Sequence, residues 1–259
     1  PLLSPVPHTP SEQLGHLKAT QLAQIGQQRH EANRHPAQIR QAVLNDGRTR
    51  VEPIDQTRRP RITKRLIGEV VHEALRYWQF PDTTPNLRDV LAGYAWNRNV
   101  TDADDQQQVV QEALALLKRF QDSALYQRIN AARQANQPVY TEMPFMYRTE
   151  KRILHGAIDT VFQDIQGQWC VLDYKTSYID IGDQRLAEAA QQHAQRYNLQ
   201  VGAYAAALMR QLGGAAPDVS IHYIRYNHTV SIPTHIWQTE LDKLERIIGD
   251  IVGDTDPQA

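Results

Sequence analysis

ILHGAIDTVFQDIQGQWCVLDYKT, residues 153–176, holds two apolar, β-branched runs, Ile153–Phe162 and Trp169–Tyr174. Asp164-Ile165-Gln166-Gly167-Gln168 lies between them, with the polar and glycine content of a hairpin turn. Asp159 sits inside the first run, and Asp173 and Lys175 close the second two positions apart, so on an extended strand their side chains leave the same face. Such a hairpin brings the carboxylates together. Acids held at the end of apolar strands repel one another and lose hydration, at a cost of several kcal/mol unless a cation sits between them. A hard divalent metal answers that need, and an oxygen-rich site suits Mg²⁺ or Mn²⁺. Lys175 beside such an ion would orient a water or balance charge on a non-bridging oxygen, which is the chemistry of phosphodiester hydrolysis. An Asp-x-Lys at a strand end also occurs on plain solvated edges, so the neighbouring blocks have to decide.

Those blocks occur in order along the chain: Gly68-Glu69-Val70-Val71-His72, Glu142-Met143-Pro144-Phe145, Gly156-Ala157-Ile158-Asp159, Asp173-Tyr174-Lys175-Thr176, and Tyr197-Asn198-Leu199-Gln200 with Tyr204. With them the chain resembles the PD-(D/E)XK nuclease superfamily, and in detail the nuclease domain of RecB/AddA-type, UvrD-like helicase-nucleases, over roughly residues 62–226. The resemblance implies an α/β fold with a central mixed β-sheet flanked by helices. It implies that His72, Asp159, Asp173 and the Tyr174 carbonyl ligate Mg²⁺ or Mn²⁺, and that Lys175, Asp173, Asp159 and Glu142 carry the catalysis. Glu142 matches an acidic position of the family, where it would assist the metal or hold Lys175; a surface glutamate is the alternative. His193, Tyr197, Gln200 and Tyr204 fall on one stripe of a helix, and the resemblance assigns Gln200 and Tyr204 to DNA contact or to support of the active site.

The activity implied is that of a metal-dependent deoxyribonuclease, an exonuclease acting on linear DNA with ends. The chain would be the C-terminal nuclease domain of an ATP-dependent helicase-nuclease in double-strand break repair and recombination. The expected associates are a helicase motor in the parent polypeptide and a partner subunit. The alternatives are a non-catalytic DNA-binding or assembly module of the same fold and a free-standing endonuclease. No G-x-x-x-x-G-K-[ST] loop is present, so this chain should hold no ATP site.

Composition narrows the classes further. The chain's 259 residues suffice for one sizeable core, and the net charge of −1 requires any nucleic-acid contact to be local. Arg48, Arg50, Arg58, Arg59, Arg61, Lys64 and Arg65 form such a local cluster; it reads either as phosphate contact, with Arg65 the DNA-binding candidate nearest the first motif, or as a solvated linker. A single cysteine, Cys170, excludes a disulfide framework and a four-cysteine iron–sulfur cluster, so no such cluster is expected. No apolar run reaches membrane-span length and no signal peptide is evident, which leads to a cytoplasmic protein with no membrane partner. A start at Pro1 rather than methionine suggests a domain cut from a longer polypeptide or a processed chain.

Residues 1–60 are expected to form a helical and linker segment and residues 61–259 the nuclease domain. Within the first, weak helical spacing predicts a helix over 11–34 and a short one over 37–44, with a turn at 45–47. Within the second, helices are predicted over 63–78, with Thr63 as N-cap, and over 87–96, 101–134, 184–212 and 238–252. Strands are predicted over 139–148, 153–162, 169–174, 219–226 and 230–236. Gly68 inside the first of these helices costs up to about 1 kcal/mol relative to alanine, so close approach of the nuclease sheet or of DNA is expected there.

Overall fold

A computed structural model describes residues 15–18, 64–148 and 152–253. Thr63, the arginines from Arg48 to Arg61, the helix expected over 37–44 and most of that over 11–34 lie outside the described residues. The described part is an α/β unit built on a mixed six-stranded sheet with helices on both faces.

Strand β3 (Arg152–Gln163) organises the sheet. Along one edge it pairs antiparallel with β2 (Val139–Arg148), from Val139↔Phe162 to Arg148↔Ile153. Its other edge is shared. Strand β1 (Gly15–Lys18) lies parallel to Arg152–His155, while β4 (Trp169–Lys175) lies antiparallel to Thr160–Gln163. The helix expected over 11–34 is therefore a strand at Gly15–Lys18: its pairing satisfies the open backbone groups of β3, which outweighs a weak helical spacing. Beyond Leu172, β4 has no partner residue on β3 and stays paired in parallel with β5 (Asp218–Tyr223) up to Lys175↔Tyr223. The sheet forks at this point. Strand β6 (His228–Ser231) completes it, antiparallel to β5.

Alternation along β4 divides its side chains between two cores. Cys170, Leu172 and Tyr174 pack with helices α1 (Lys64–Arg76), α2 (Leu87–Trp96), α3 (Ala103–Gln121) and α4 (Ala124–Gln134). Val171 packs on the other face with α5 (Leu186–Ala194), α6 (Asn198–Gln211) and α7 (Thr234–Gly253).

Several predicted elements are divided or shortened. The segment 101–134 is two helices: Asp102 caps α3 by accepting from the Asp104 and Asp105 amides, and the Ser123 hydroxyl accepts from Tyr126 N to start α4. Residues 184–212 are α5 and α6 separated by a 3₁₀ turn at Gln195–Tyr197. The last hairpin is shorter than expected, because Ile224–Tyr226 is a 3₁₀ turn and Pro233, which has no N–H to donate, is followed directly by α7.

The β3–β4 turn forms at Asp164–Gln168. Asp164 is buried, and its Oδ1 accepts from the amides of Gln166 and Gln168 at 3.0 and 2.9 Å while Arg128 lies 2.5 Å from Oδ2. Burial alone would raise its pKa, but the guanidinium and the two amides outweigh that and hold the carboxyl below the usual aspartate range. A depressed pKa stabilises the fold above the unfolded value, about 3.9, and the contribution disappears as pH falls through the folded one. Asp164→Ala is therefore expected to lose about 2 kcal/mol at pH 7, and urea titrations should show the gap to wild type closing below about pH 4. An unchanged gap at low pH would show that the charge contributes nothing.

Candidate active site

The fork between β3 and β4 opens onto a cleft of about 590 Å³ lined by side chains from α1, β2, β3, β4 and the start of α6. His72 reaches it from α1. It can do so because α1 packs closely against the end of β4: a Cβ built on Gly68, one turn earlier, would lie 2.6 Å from Thr176 Oγ1. The close approach expected at Gly68 is thus to the sheet.

Asp159 stands one register step beyond the last β3–β4 pair. Its Oδ2 accepts from Tyr174 N at 2.7 Å and its Oδ1 lies 3.7 Å from His72 Nδ1. Glu142 lies opposite Asp159 in the β2–β3 register, between the pairs Thr141↔Thr160 and Met143↔Ile158, and adopts φ +49°, a left-handed conformation costly for a side chain with a Cβ. Like charges directly opposite on a sheet destabilise it. Burial and the nearby Asp159 accordingly raise the Glu142 pKa above its ordinary value. Ligating atoms of His72, Glu142 and Asp159 all lie within 4.8 Å of one another. One imidazole and two carboxylates whose mutual repulsion a cation would relieve make a donor set that fits a divalent metal.

Asp173 lines the same cleft outside that trio. Its Oδ2 lies 2.6 Å from Lys175 Nζ in an ion pair, and its side chain is only 2% exposed. Burial, opposed by Lys175, lifts the Asp173 pKa to about 6. For Lys175, burial favours the neutral amine, but Asp173 and Asp159 outweigh it and the pKa is raised, so the ammonium persists. Lys175 is therefore held by Asp173 and not by Glu142, and its ammonium also rests 4.2 Å from the centre of the Tyr197 ring. The Tyr174 side chain is buried on the opposite face, with its hydroxyl 3.2 Å from Thr160 Oγ1.

Gln200 and Tyr204 form the floor of the cleft. Both are buried; Gln200 Nε2 donates to the Tyr204 hydroxyl at 2.6 Å, and Gln200 Oε1 has no hydrogen-bond partner. Burial, with Asp173 and Asp159 nearby, raises the Tyr204 pKa well above normal, so its hydroxyl keeps its proton. Between DNA contact and support of the site, burial of this pair favours support. His193 stays beside Tyr197, with ring centres 5.6 Å apart, but does not line the cleft, and its Nδ1 lies 3.0 Å from the buried Tyr223 hydroxyl. Arg65 lies apart, exposed on α1 and 2.8 Å from Glu69, and lines an adjoining groove that shares His72, Glu142 and Thr176 with the cleft. The sequence does not announce the contact of Lys175 with Tyr197; its only signal is the position of Tyr197 in the last block.

No helix among the described residues is long and apolar enough to cross a membrane. Residues 44–252 match the family model of the PD-(D/E)XK nuclease superfamily. The chain is 28% identical over 122 residues to one of the subunits of an ATP-dependent helicase/nuclease of Clostridium perfringens, an alignment covering 41% of this chain but only 9% of that protein. The fold is also that of a crystal structure from Eubacterium rectale, provisionally named an exonuclease, at a TM-score of 0.50 and 12% identity, covering 77% of this chain and 71% of the other. With most of its length matched and the family's blocks gathered at one cleft, the chain belongs to the PD-(D/E)XK nuclease superfamily.

Proposed function

We propose that the protein is a Mg²⁺- or Mn²⁺-dependent deoxyribonuclease that removes nucleotides from the ends of linear DNA. We place it as the nuclease part of a helicase-nuclease in double-strand break repair and recombination. The observation that carries the nuclease reading is the convergence of His72, Glu142, Asp159, Asp173 and Lys175, from separate elements, on one cleft. The similarity to part of a helicase/nuclease supports the parent assembly, with its motor and partner subunit.

His72, Asp159 and Glu142 would hold the metal, with Asp173 and the Tyr174 carbonyl completing the shell. Such an ion would supply positive charge against the phosphoryl oxygens and lower the pKa of a bound water, so that it loses a proton more readily and becomes a nucleophile. Lys175, kept protonated and fixed by Asp173, donates toward the attacking water or a non-bridging oxygen and offsets charge as it develops. Gln200 and Tyr204 brace the cleft floor beneath the substrate, and Arg65 meets DNA at the adjoining groove.

Incubation of the protein with end-labelled linear DNA and with closed circular DNA, in Mg²⁺, Mn²⁺ or chelator, tests the proposal. Mononucleotide or short products from linear DNA alone, abolished by chelator, are the expected result. Nicked or cut circles would make it an endonuclease, and retention of DNA without cleavage in any metal would make it a binding module.

A further inference from the structure

A cationic pair stands beside the cleft mouth and takes no part in the metal cluster. Lys64, at the exposed start of α1, places Nζ 4.1 Å from the ring centre of Tyr178, and Arg225 places its guanidinium carbon 3.9 Å from the same centre. Tyr178 is 49% exposed and lies three residues after Lys175. Arg225 is tied to the site, since its Nε donates to the Thr176 carbonyl at 3.2 Å and Thr176 lines the cleft. Arg119 joins the same neighbourhood by donating to the Arg225 carbonyl.

Two like charges on one exposed ring repel each other, and the usual remedy is a carboxylate between them. Among the described residues neither Lys64 nor Arg225 has an acidic partner, and Asp180 and Asp183 on the same loop form no ion pair with either. In contrast, Arg65, Arg76 and Arg98 of the adjoining groove are engaged by Glu69 and Glu73. Lys64 and Arg225 thus share one exposed ring beside the cleft with no carboxylate between them. A lysine offers a point charge and an arginine a planar fork, and both suit a phosphate oxygen.

We propose that Lys64, Tyr178 and Arg225 form a docking subsite for a non-scissile phosphodiester of the substrate strand, beside the phosphate held for cleavage. The subsite rests on the reading of the cleft as a nuclease site. Tyr178 acts as the spacer that keeps the two cations close while exposed. Arg225 links occupancy of the subsite to the backbone next to Lys175. The basic cluster before the first motif thereby finds a role in one described member, Lys64.

Binding of a fluorescein-labelled oligonucleotide in chelator, measured across a salt series for wild type, Lys64→Gln, Arg225→Gln, Tyr178→Leu and Lys64→Arg, tests the subsite. Lys64→Gln is expected to weaken binding about 3- to 10-fold and to lower the slope of log K against log salt by about 0.7–0.9, the share of one released counterion; Lys64→Arg should restore both. A set of oligonucleotides, each with one neutral methylphosphonate linkage, should contain one position where the neutral linkage costs wild type as much as Lys64→Gln does and costs the variant nothing more. Equal salt slopes for wild type and Lys64→Gln, or additive losses at every linkage, would overturn the subsite while leaving the nuclease reading intact. A wild type that neither binds nor cleaves any polynucleotide would overturn both. Thermal melts of each variant identify losses that come from unfolding.

Discussion

Lys175→Met is expected to lower cleavage of linear DNA by about 10²- to 10³-fold, the range seen when one preorganised charge donor is removed from an active site. The side chain is 17% exposed and its ammonium is fixed between Asp173 Oδ2 and the Tyr197 ring, so little reorganisation is needed when negative charge builds on the phosphate. Methionine keeps the aliphatic stem and removes only the charge. Binding of DNA should change by no more than a few-fold, because the remaining cations at the mouth are untouched. Single-turnover digestion of end-labelled DNA in Mg²⁺ would measure the first effect, and retention of the same DNA in chelator the second. Cleavage within a few-fold of wild type would remove Lys175 from the chemistry.

Trp237→Ala should cost about 3–5 kcal/mol of stability, because it empties the site of the largest fully buried side chain among the described residues. Trp237 seats α7 on α6: a Cβ built on Gly202 would stand 2.9 Å from the Trp237 carbonyl oxygen and 3.4 Å from its Cβ. Here backbone meets helix with no room for a methyl group, so Gly202→Ala should also destabilise, although alanine is the better helix former. Urea unfolding of both variants measures this, and a Gly202→Ala midpoint at or above wild type would show that the helices separate at little cost. Since α6 carries Gln200 and Tyr204, loss of α7 would also loosen the cleft floor.

Much of the site is legible in the sequence because its central pieces are local. Asp173 and Lys175 are two residues apart on one strand, the Asp164–Gln168 turn has its own side-chain cap, and both follow from period-two alternation and turn chemistry. His72 is different. Helical spacing places it on α1, but only the resemblance points it at the acids, 87 positions along the chain from Asp159. Glu142 is undervalued for a related reason: its opposition to Asp159 depends on the β2–β3 register and on a left-handed backbone at a glutamate, and neither leaves a mark in the sequence. Strand β1 is mistaken for helix because Gly15-His16-Leu17-Lys18 is too short for a period to be read and gains its structure from a partner strand far along the chain. No proline or glycine announces the break at Gln195–Tyr197, yet that turn puts Tyr197 under Lys175.

The hairpin that supplies the acids divides its labour by position. Its capped turn lies at one end of β4 and Lys175 at the other, about 20 Å away at the rise of an extended chain. Ile165, exposed at the tip of that turn, therefore offers an attachment point remote from the cleft, where a fluorophore or surface tether could be joined to the enzyme without entering the path of the substrate.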